Sequence, residues 1–187
     1  MSRVAGRERL FLAVGVPEPV RAALDEAIAP LRQRWSSLRW VGPDRWHVTL
    51  AFVGDCDRAG AAAVDAAAVC AAAGVHAFEV RLSGSFGSFG RSVLWAGLAP
   101  SSPLDALARG VRGALADRGV AIDDKPFHAH LTLARAPRRG RLPAQVQAAD
   151  WAGPTHRWEV DRLEVRRSEP APGGPSYPVR TAAPLPR

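Results

Sequence analysis

The chain has 187 residues, of which 47 % are apolar, and a formal net charge of +7 that arginine carries almost entirely. This length suffices for one domain with a buried core, and the positive balance favours a polyanionic partner such as nucleic acid. The two cysteines lie outside any Cys-x-x-Cys spacing, which excludes a disulfide framework and favours a reducing cytoplasm.

The first half of the chain predicts alternating strands and helices. Leu10–Val16 is an apolar run too short to span a membrane and has no signal-peptide cleavage site, so we expect a buried strand at Arg9–Val16. Apolar residues at helical spacing from Pro17 to about Arg34 predict the first helix. A short apolar stretch, a strand that ends at Gly54-Asp55 and an Ala-rich helix capped by Gly74 follow at Leu38–Val41, Trp46–Val53 and Arg58–Ala73.

The second half begins with a strand at Ala77–Leu82, a Gly/Ser-rich loop at Ser83–Ser92 and a strand at Val93–Leu98. Apolar spacing predicts a helix from Ser102 to about Arg118. The remaining segments are a strand, a basic turn, a short helix, an alternating strand, a Pro/Gly-rich loop and an edge strand: Ala129–Ala134, Arg138–Arg141, Pro143–Ala149, His156–Val165, Ser168–Pro175 and Tyr177–Thr181. The alternation of His156–Val165 slips near Asp161, which we interpret as a β-bulge.

This order of elements predicts an α+β fold. We expect two pseudo-duplicated lobes of antiparallel sheet, with helices on the outside, around a central cleft. Residues 1–187 would then form a single domain, with one motif strand from each half.

The clearest functional signal is a five-residue motif that occurs twice. It reads His47-Val48-Thr49-Leu50-Ala51 in the first half and His130-Leu131-Thr132-Leu133-Ala134 in the second. Residues i and i+2 of a strand share one face, so each copy places a His and a Thr together. A lone His on a strand is most often structural, but two buried strands with the same polar pair would be costly as mere core.

Two imidazoles and two hydroxyls suit acid–base chemistry on a phosphate. One imidazole can take a proton from an attacking water while the other, protonated, gives one to the leaving oxygen. Thr49 and Thr132 can donate hydrogen bonds to the non-bridging phosphoryl oxygens, where the transition state concentrates charge. The arrangement requires neither a metal nor a cofactor.

The segments around both motifs, WHVTLAFVGD (Trp46–Asp55) and PFHAHLTLAR (Pro126–Arg135), resemble the two signatures of the two-histidine (2H) phosphoesterase superfamily. Within it the chain is similar to the bacterial and archaeal RNA 2′,3′-cyclic phosphodiesterases, once described as 2′-5′ RNA ligases. Arg9–Leu24, Arg39–Leu50 and Tyr177 add to this likeness, which therefore covers most of the chain.

The resemblance implies metal-independent hydrolysis of a 2′,3′-cyclic phosphate on RNA or a nucleoside, usually to a 2′-phosphate. It implies His47 and His130 as catalytic residues, with His130 as the base and His47 as the acid, and Thr49 and Thr132 as substrate-binding residues. We also expect a cytoplasmic monomer that contacts RNA ends or nucleotides and no membrane.

Three flanking residues are further candidates for substrate binding. Arg135 matches the family motif as a phosphate-side cation, but its parity points it away from His130 and Thr132 unless the strand ends or bulges near Ala134. Phe127 could stack on a base or belong to the core. His128 stands where the family often has Arg, and it could replace a phosphate contact or lie at the rim of the site.

Alternative functions remain open at this level. His47, His128 and His130 could bind zinc, although the repeated Thr would then be unexplained. The basic clusters Arg138-Arg139-Arg141 and Arg166-Arg167 could belong to a catalytically silent module that binds RNA ends or nucleotides. Within the same superfamily, the substrate could be another cyclic or 2′-5′-linked phosphodiester, and RNA ligation could occur in reverse.

Overall fold

The computed structural model describes residues 6–147 and 152–187. The helices of this part are α1 Glu18–Arg34, α2 Arg58–Ala73, α3 Ser102–Ala116 and α4 Ala144–Gln147, with a 3-10 turn at Pro43–Arg45. The strands are β1 Glu8–Gly15, β2 Arg39–Trp40, β3 His47–Cys56, β4 Phe78–Phe89, β5 Val93–Leu98, β6 His130–Arg135, β7 Arg157–Val160, β8 Arg162–Arg167 and β9 Val179–Pro184.

The strands form two antiparallel sheets, which confirms the predicted α+β architecture. The first sheet has the order β3-β1-β8-β9 and the second the order β2-β6-β5-β4-β7. Each sheet therefore contains one motif strand, β3 in the first and β6 in the second. The backbone N–H of Val41 donates to the carbonyl of Leu133 at 2.8 Å, which ties the approach to β3 to β6.

Helices cover the far face of the first sheet and leave its other face to the cleft. On β1, Leu10, Leu12 and Val14 are fully buried, and α2 packs on β1, β3, β8 and β9 as well as on α3. Six small or branched residues of α2 are buried, which lets this Ala-rich helix approach the sheet closely. Because side chains alternate along a strand, the positions of β1 between Leu10, Leu12 and Val14 face the cleft.

The Gly/Ser segment Ser83–Ser92 is not the loop expected from its composition. Strand β4 continues to Phe89, and two extra residues bulge between Leu82 and Phe86 in its pairing with β5. A Cβ on Gly87 would lie 2.3 Å from the Trp95 indole, which crosses this position from β5. Glycine is therefore required by the close approach of an aromatic ring rather than by a turn.

The expected bulge at Asp161 is instead a crossover between the two sheets. Strand β7 pairs with β4 in the second sheet, and β8 pairs with β1 and β9 in the first. Each of these two strands has one covered face, so apolar and polar residues alternate both before and after Asp161. The sequence pattern alone therefore cannot distinguish a bulge from a change of sheet.

Other boundaries differ by a few residues. Strand β3 passes through Gly54, whose φ is +91°, and ends at Cys56 rather than before Gly54. The edge strand is confirmed as β9, shifted to Val179–Pro184. The short helix spans Ala144–Gln147, and Ala148 and Ala149 of its expected range lie outside the described residues. Within the described part, no helix is long and apolar enough to span a membrane.

Candidate active site

The two motif histidines are held in the same way. The Nδ1 atom of His47 lies 2.7 Å from the carbonyl oxygen of Arg45, and Nδ1 of His130 lies 2.7 Å from the carbonyl oxygen of His128. A carbonyl can only accept, so Nδ1 carries the proton in each neutral ring and Nε2 carries the lone pair. Both imidazoles are thus oriented by the backbone two residues upstream, with Nε2 left for proton transfer.

Burial shifts the acid–base balance of both rings. It lowers the pKa of His47 from 6.5 to about 4, a change that the hydrogen bond to Arg45 opposes and the charges of Arg166, His130 and Arg135 reinforce. Burial also lowers the pKa of His130, as do the nearby charges of His128 and Arg135. Both imidazoles are therefore mainly neutral near neutral pH when no ligand is present.

Matching bulges follow the two threonines. In the β1–β3 pairing, Leu50 is an extra residue between Thr49 and Ala51. In the β5–β6 pairing, Leu133 is an extra residue between Thr132 and Ala134. Each bulge reverses the alternation, so the residue three positions after each Thr returns to the face of the His-x-Thr pair.

The residues returned in this way are Phe52 and Arg135, and both line a cavity of about 290 Å³ between the sheets. Arg135 therefore reaches the site through the bulge that its parity required. Among the described residues, neither Thr49 nor Thr132 has a hydrogen-bonded side-chain hydroxyl, so both hydroxyls are available to a ligand. The cavity lining comprises Arg9, Phe11, Val41, Arg45, His47, Thr49, Phe52, Thr132, Arg135, Ser168 and Tyr177.

One wall of the cavity is aromatic. Phe11 and Tyr177 contact the His47 ring with centroid distances of 4.8 and 5.1 Å, and Phe52 is 36 % exposed. Neither Phe11 nor Phe52 is among the site residues predicted from the sequence. Phe52 follows Thr49 by three residues, as Arg135 follows Thr132, and this equal spacing is the sequence signal from which Phe52 could have been predicted. A cationic rim and an aromatic wall together suit a phosphate attached to a planar base.

The other sequence candidates, His130, Phe127 and His128, lie outside this lining. His130 is half-buried and shares a strand face with Thr132, two residues along β6, which places it beside the cavity. Phe127 is partly buried and packs against the core. His128 is exposed, with its ring 4.9 Å from Trp95 and 5.8 Å from His130. Within residues 6–147 and 152–187, no three His, Cys, Asp or Glu side chains form a group that could hold a metal ion.

A buried ion pair lies beside His47. Gly15 pairs with His47 across β1 and β3, and a Cβ at Gly15 would lie 3.4 Å from both the Arg166 guanidinium and the Glu164 carboxylate. Arg166 donates to Glu164 from Nε at 2.7 Å, and Arg162 donates to the other carboxylate oxygen at 3.2 Å. Glu164, which is 4 % exposed, thus compensates much of the positive charge of Arg166, the charge that lowers the pKa of His47.

We expect Glu164→Ala to lower the free energy of unfolding by about 3 kcal/mol, because it leaves the Arg166 charge buried without its partner. Urea denaturation at equilibrium measures this loss. The exposed Glu159 on β7 provides the matched control, and Glu159→Ala should change stability by less than about 0.5 kcal/mol. Equal effects for the two variants would contradict a structural role for the buried pair.

Comparisons with known proteins identify the family of the chain. The family model described as "2′-5′ RNA ligase superfamily" matches residues 12–171. An RNA 2′,3′-cyclic phosphodiesterase of Thermus thermophilus is 34 % identical over 91 % of this chain and 87 % of its own length. One of Thermotoga maritima is 28 % identical over 91 % of this chain and 92 % of its own. The chain spans about half, 46 %, of a Geobacillus stearothermophilus relative with the same name, at 30 % identity over 76 % of this chain.

Solved structures give the same result. A protein of Thermus thermophilus superposes with a TM-score of 0.77 at 31 % identity, over 95 % of this chain and 97 % of the other. Escherichia coli LigT complexed with 3′-AMP superposes with a TM-score of 0.76 at 27 % identity, over 96 % and 98 % of the two chains. Because the family model matches residues 12–171, which are most of the chain, this chain belongs to the 2′-5′ RNA ligase superfamily.

Proposed function

We propose that this protein is an RNA 2′,3′-cyclic phosphodiesterase that hydrolyses the cyclic phosphate to a 2′-phosphate without a metal ion. The observation that carries the proposal is the cavity in which His47, Thr49, Thr132 and Arg135 meet from two sheets. The names of the relatives support the substrate class. The aromatic side chains of the cavity wall suit stacking against a nucleobase. RNA ends are the proposed substrates, and free cyclic nucleotides share the reacting group.

In the proposed reaction, a water oxygen forms a bond to phosphorus while the bond from phosphorus to the 3′-oxygen breaks. One imidazole Nε2 accepts the proton of the water, and the other, protonated, gives its proton to the 3′-oxygen. Thr49 and Thr132 donate hydrogen bonds to the non-bridging oxygens, and the Arg135 guanidinium adds positive charge on the same side. The proton count balances, and the histidine pair ends with its protons exchanged.

The resemblance assigns the base to His130 and the acid to His47, and we propose that direction. In the unliganded protein the pKa of His47 is about 4, so this imidazole carries no proton near neutral pH. The assignment therefore needs the bound phosphate anion to raise the pKa of His47, since a nearby negative charge stabilises imidazolium. Substrate binding and protonation of His47 would then be coupled.

The pH dependence follows from the need for one proton on the pair, whichever imidazole carries it. Because the pKa of each histidine is lowered, the singly protonated pair is most abundant between the two lowered values, on the acid side of 6.5. We expect kcat/KM to peak there and to fall about tenfold per pH unit at alkaline pH. Initial rates at low substrate concentration across the pH range measure the profile, and a maximum above pH 6.5 would contradict it.

Turnover in the presence of a chelator tests the function and separates it from its rivals. We expect a 2′,3′-cyclic nucleotide to be hydrolysed equally with and without EDTA, in a protein free of bound metal by elemental analysis. Activity lost to EDTA and restored by zinc would establish a zinc-dependent mechanism. Tight binding without turnover would establish the silent module.

Several broader properties belong to the same proposal. We propose one domain over residues 1–187, acting as a monomer in the cytoplasm, and the free thiols of Cys56 and Cys70 support a reducing location. Phe127 serves packing against the core in this account. Reverse 2′-5′ ligation would use the same residues with the proton transfers reversed.

A further inference from the structure

A partly exposed aromatic cluster lies on the cleft face of the second sheet, beside the proposed catalytic cavity. We define the aromatic cluster as Phe89, Trp95 and His128. Phe89 is 39 % exposed, and its ring meets the His130 ring edge-on with a centroid distance of 4.8 Å. Its centroid lies 5.2 Å from His128 and 5.6 Å from Trp95. Aromatic faces therefore continue outward from His130, beyond the residues that line the cavity.

Arginines border this cluster. The β4–β5 turn follows Phe89, and its Arg91 carbonyl accepts from the backbone N–H of Leu142 at 2.9 Å. The Ser92 carbonyl accepts from the N–H of Ala136 at 2.8 Å. These bonds hold the basic turn after β6 against the hairpin. We define the arginine surface as the four exposed side chains Arg91, Arg138, Arg139 and Arg141.

The charge of this surface is uncompensated. Segments 80–104 and 125–149 contain no acidic residue. None of the ion pairs found among the described residues includes an arginine of the surface. Elsewhere the arginines of β8 and β9, such as Arg166 and Arg180, are paired with carboxylates. The four arginines of the surface therefore form a local group without an ion-pair partner among the described residues, at the end of the second sheet that carries Arg135.

We propose that the aromatic cluster and the arginine surface bind the RNA strand that leads, from its 5′ side, to the cyclic end. This inference rests on the function proposed above and adds the surface that binds the RNA strand outside the reacting nucleotide. Single-stranded RNA presents bases that stack on aromatic rings and phosphates that guanidinium groups bind, which is the combination found here. Neither Phe89 nor any arginine of the surface is among the residues that line the cavity. His130 also lies outside that lining and contacts Phe89, so the surface begins at the edge of the cavity and extends away from it.

The test compares two doubly substituted proteins with the same net charge. Arg138→Ser/Arg139→Ser removes half of the arginine surface, and Arg58→Ser/Arg109→Ser removes two exposed arginines from α2 and α3 as a control. The substrates are 2′,3′-cyclic AMP and a short single-stranded RNA with a 2′,3′-cyclic end. We expect KM for the RNA to rise about tenfold in the first variant alone, with a salt dependence shallower by about 1.4 logarithmic units per decade of salt.

Turnover of 2′,3′-cyclic AMP should stay unchanged in both variants. A loss on the RNA that is equal for the two variants would overturn the proposal, because net charge alone would explain it. So would an unchanged KM for the RNA in the first variant. If the wild type hydrolyses neither substrate, the proposed function fails. Fluorescence anisotropy of the same RNA, labelled, then tests the surface independently, because only the Arg138→Ser/Arg139→Ser variant should bind the RNA more weakly than the wild type.

Phe89→Leu tests the aromatic part of the surface. It keeps an apolar side chain against His130 but removes the ring, so KM for the RNA should rise about fivefold, the lower range of one base–aromatic stack. The kcat on 2′,3′-cyclic AMP reports any disturbance of His130. An equal fall in activity on both substrates would assign Phe89 to the support of His130 and remove it from the RNA-binding surface.

Discussion

His47→Ala and His130→Ala should each lower kcat/KM for an RNA 2′,3′-cyclic phosphate by about 10²–10⁴-fold, the range for loss of a positioned acid or base. The backbone carbonyls fix Nδ1 of both imidazoles and leave Nε2 of each for proton transfer. Steady-state rates with matched thermal-unfolding curves measure the effect. His76→Ala and His156→Ala, at exposed positions, serve as controls and should retain wild-type rates.

A substrate with an activated leaving group separates the two roles. A good leaving group needs little protonation, so loss of the acid should cost much less on it than on RNA, whereas loss of the base costs the same on both. We expect His47→Ala to recover most of its activity on the activated substrate and His130→Ala not to recover. The reverse pattern would invert the assignment while leaving the pair intact.

The second large effect concerns the threonine hydroxyls. Thr49→Val and Thr132→Val keep the shape of the side chain but remove the donor to a phosphoryl oxygen. We expect each to lower kcat by about 10²-fold, as loss of one transition-state donor does. The kcat should fall more than KM rises, because the negative charge on those oxygens grows in the transition state.

Thr181→Val is the matched control for these variants. Its Oγ1 donates to Asp65 at 2.7 Å, on the helix-covered side of the first sheet. Loss of that bond should cost stability of about 1 kcal/mol and leave kcat unchanged. A fall in kcat of the same size in all three variants would show that the threonines act through general stability instead of through the phosphate.

The elements that the sequence predicted well are those whose own residues determine them. Strand β5 and helix α2 have the expected bounds because a continuous apolar run and an Ala-rich stretch with a cap each specify one local structure. The two motif strands were also predicted, since polar pairs at i and i+2 among apolar residues fit little else.

The differences arise where a partner distant in sequence decides the structure. Gly87 looks like a loop residue until Trp95 is seen to cross it, and Asp161 looks like a bulge until β7 and β8 are seen in separate sheets. Phe52 and Arg135 reach the cavity through bulges whose existence depends on pairing with β1 and β5. The lowered pKa of His47 likewise depends on burial of its ring in the folded protein and on Arg166 from β8.

Product analysis of an RNA that ends in a 2′,3′-cyclic phosphate tests the central claim most directly. The wild-type protein, in EDTA, should convert it to an RNA with a 2′-phosphate, while His47→Ala and His130→Ala leave the cyclic end intact over the same time. Unchanged RNA with the wild type, a 3′-phosphate product, or full conversion by either histidine variant would contradict the account.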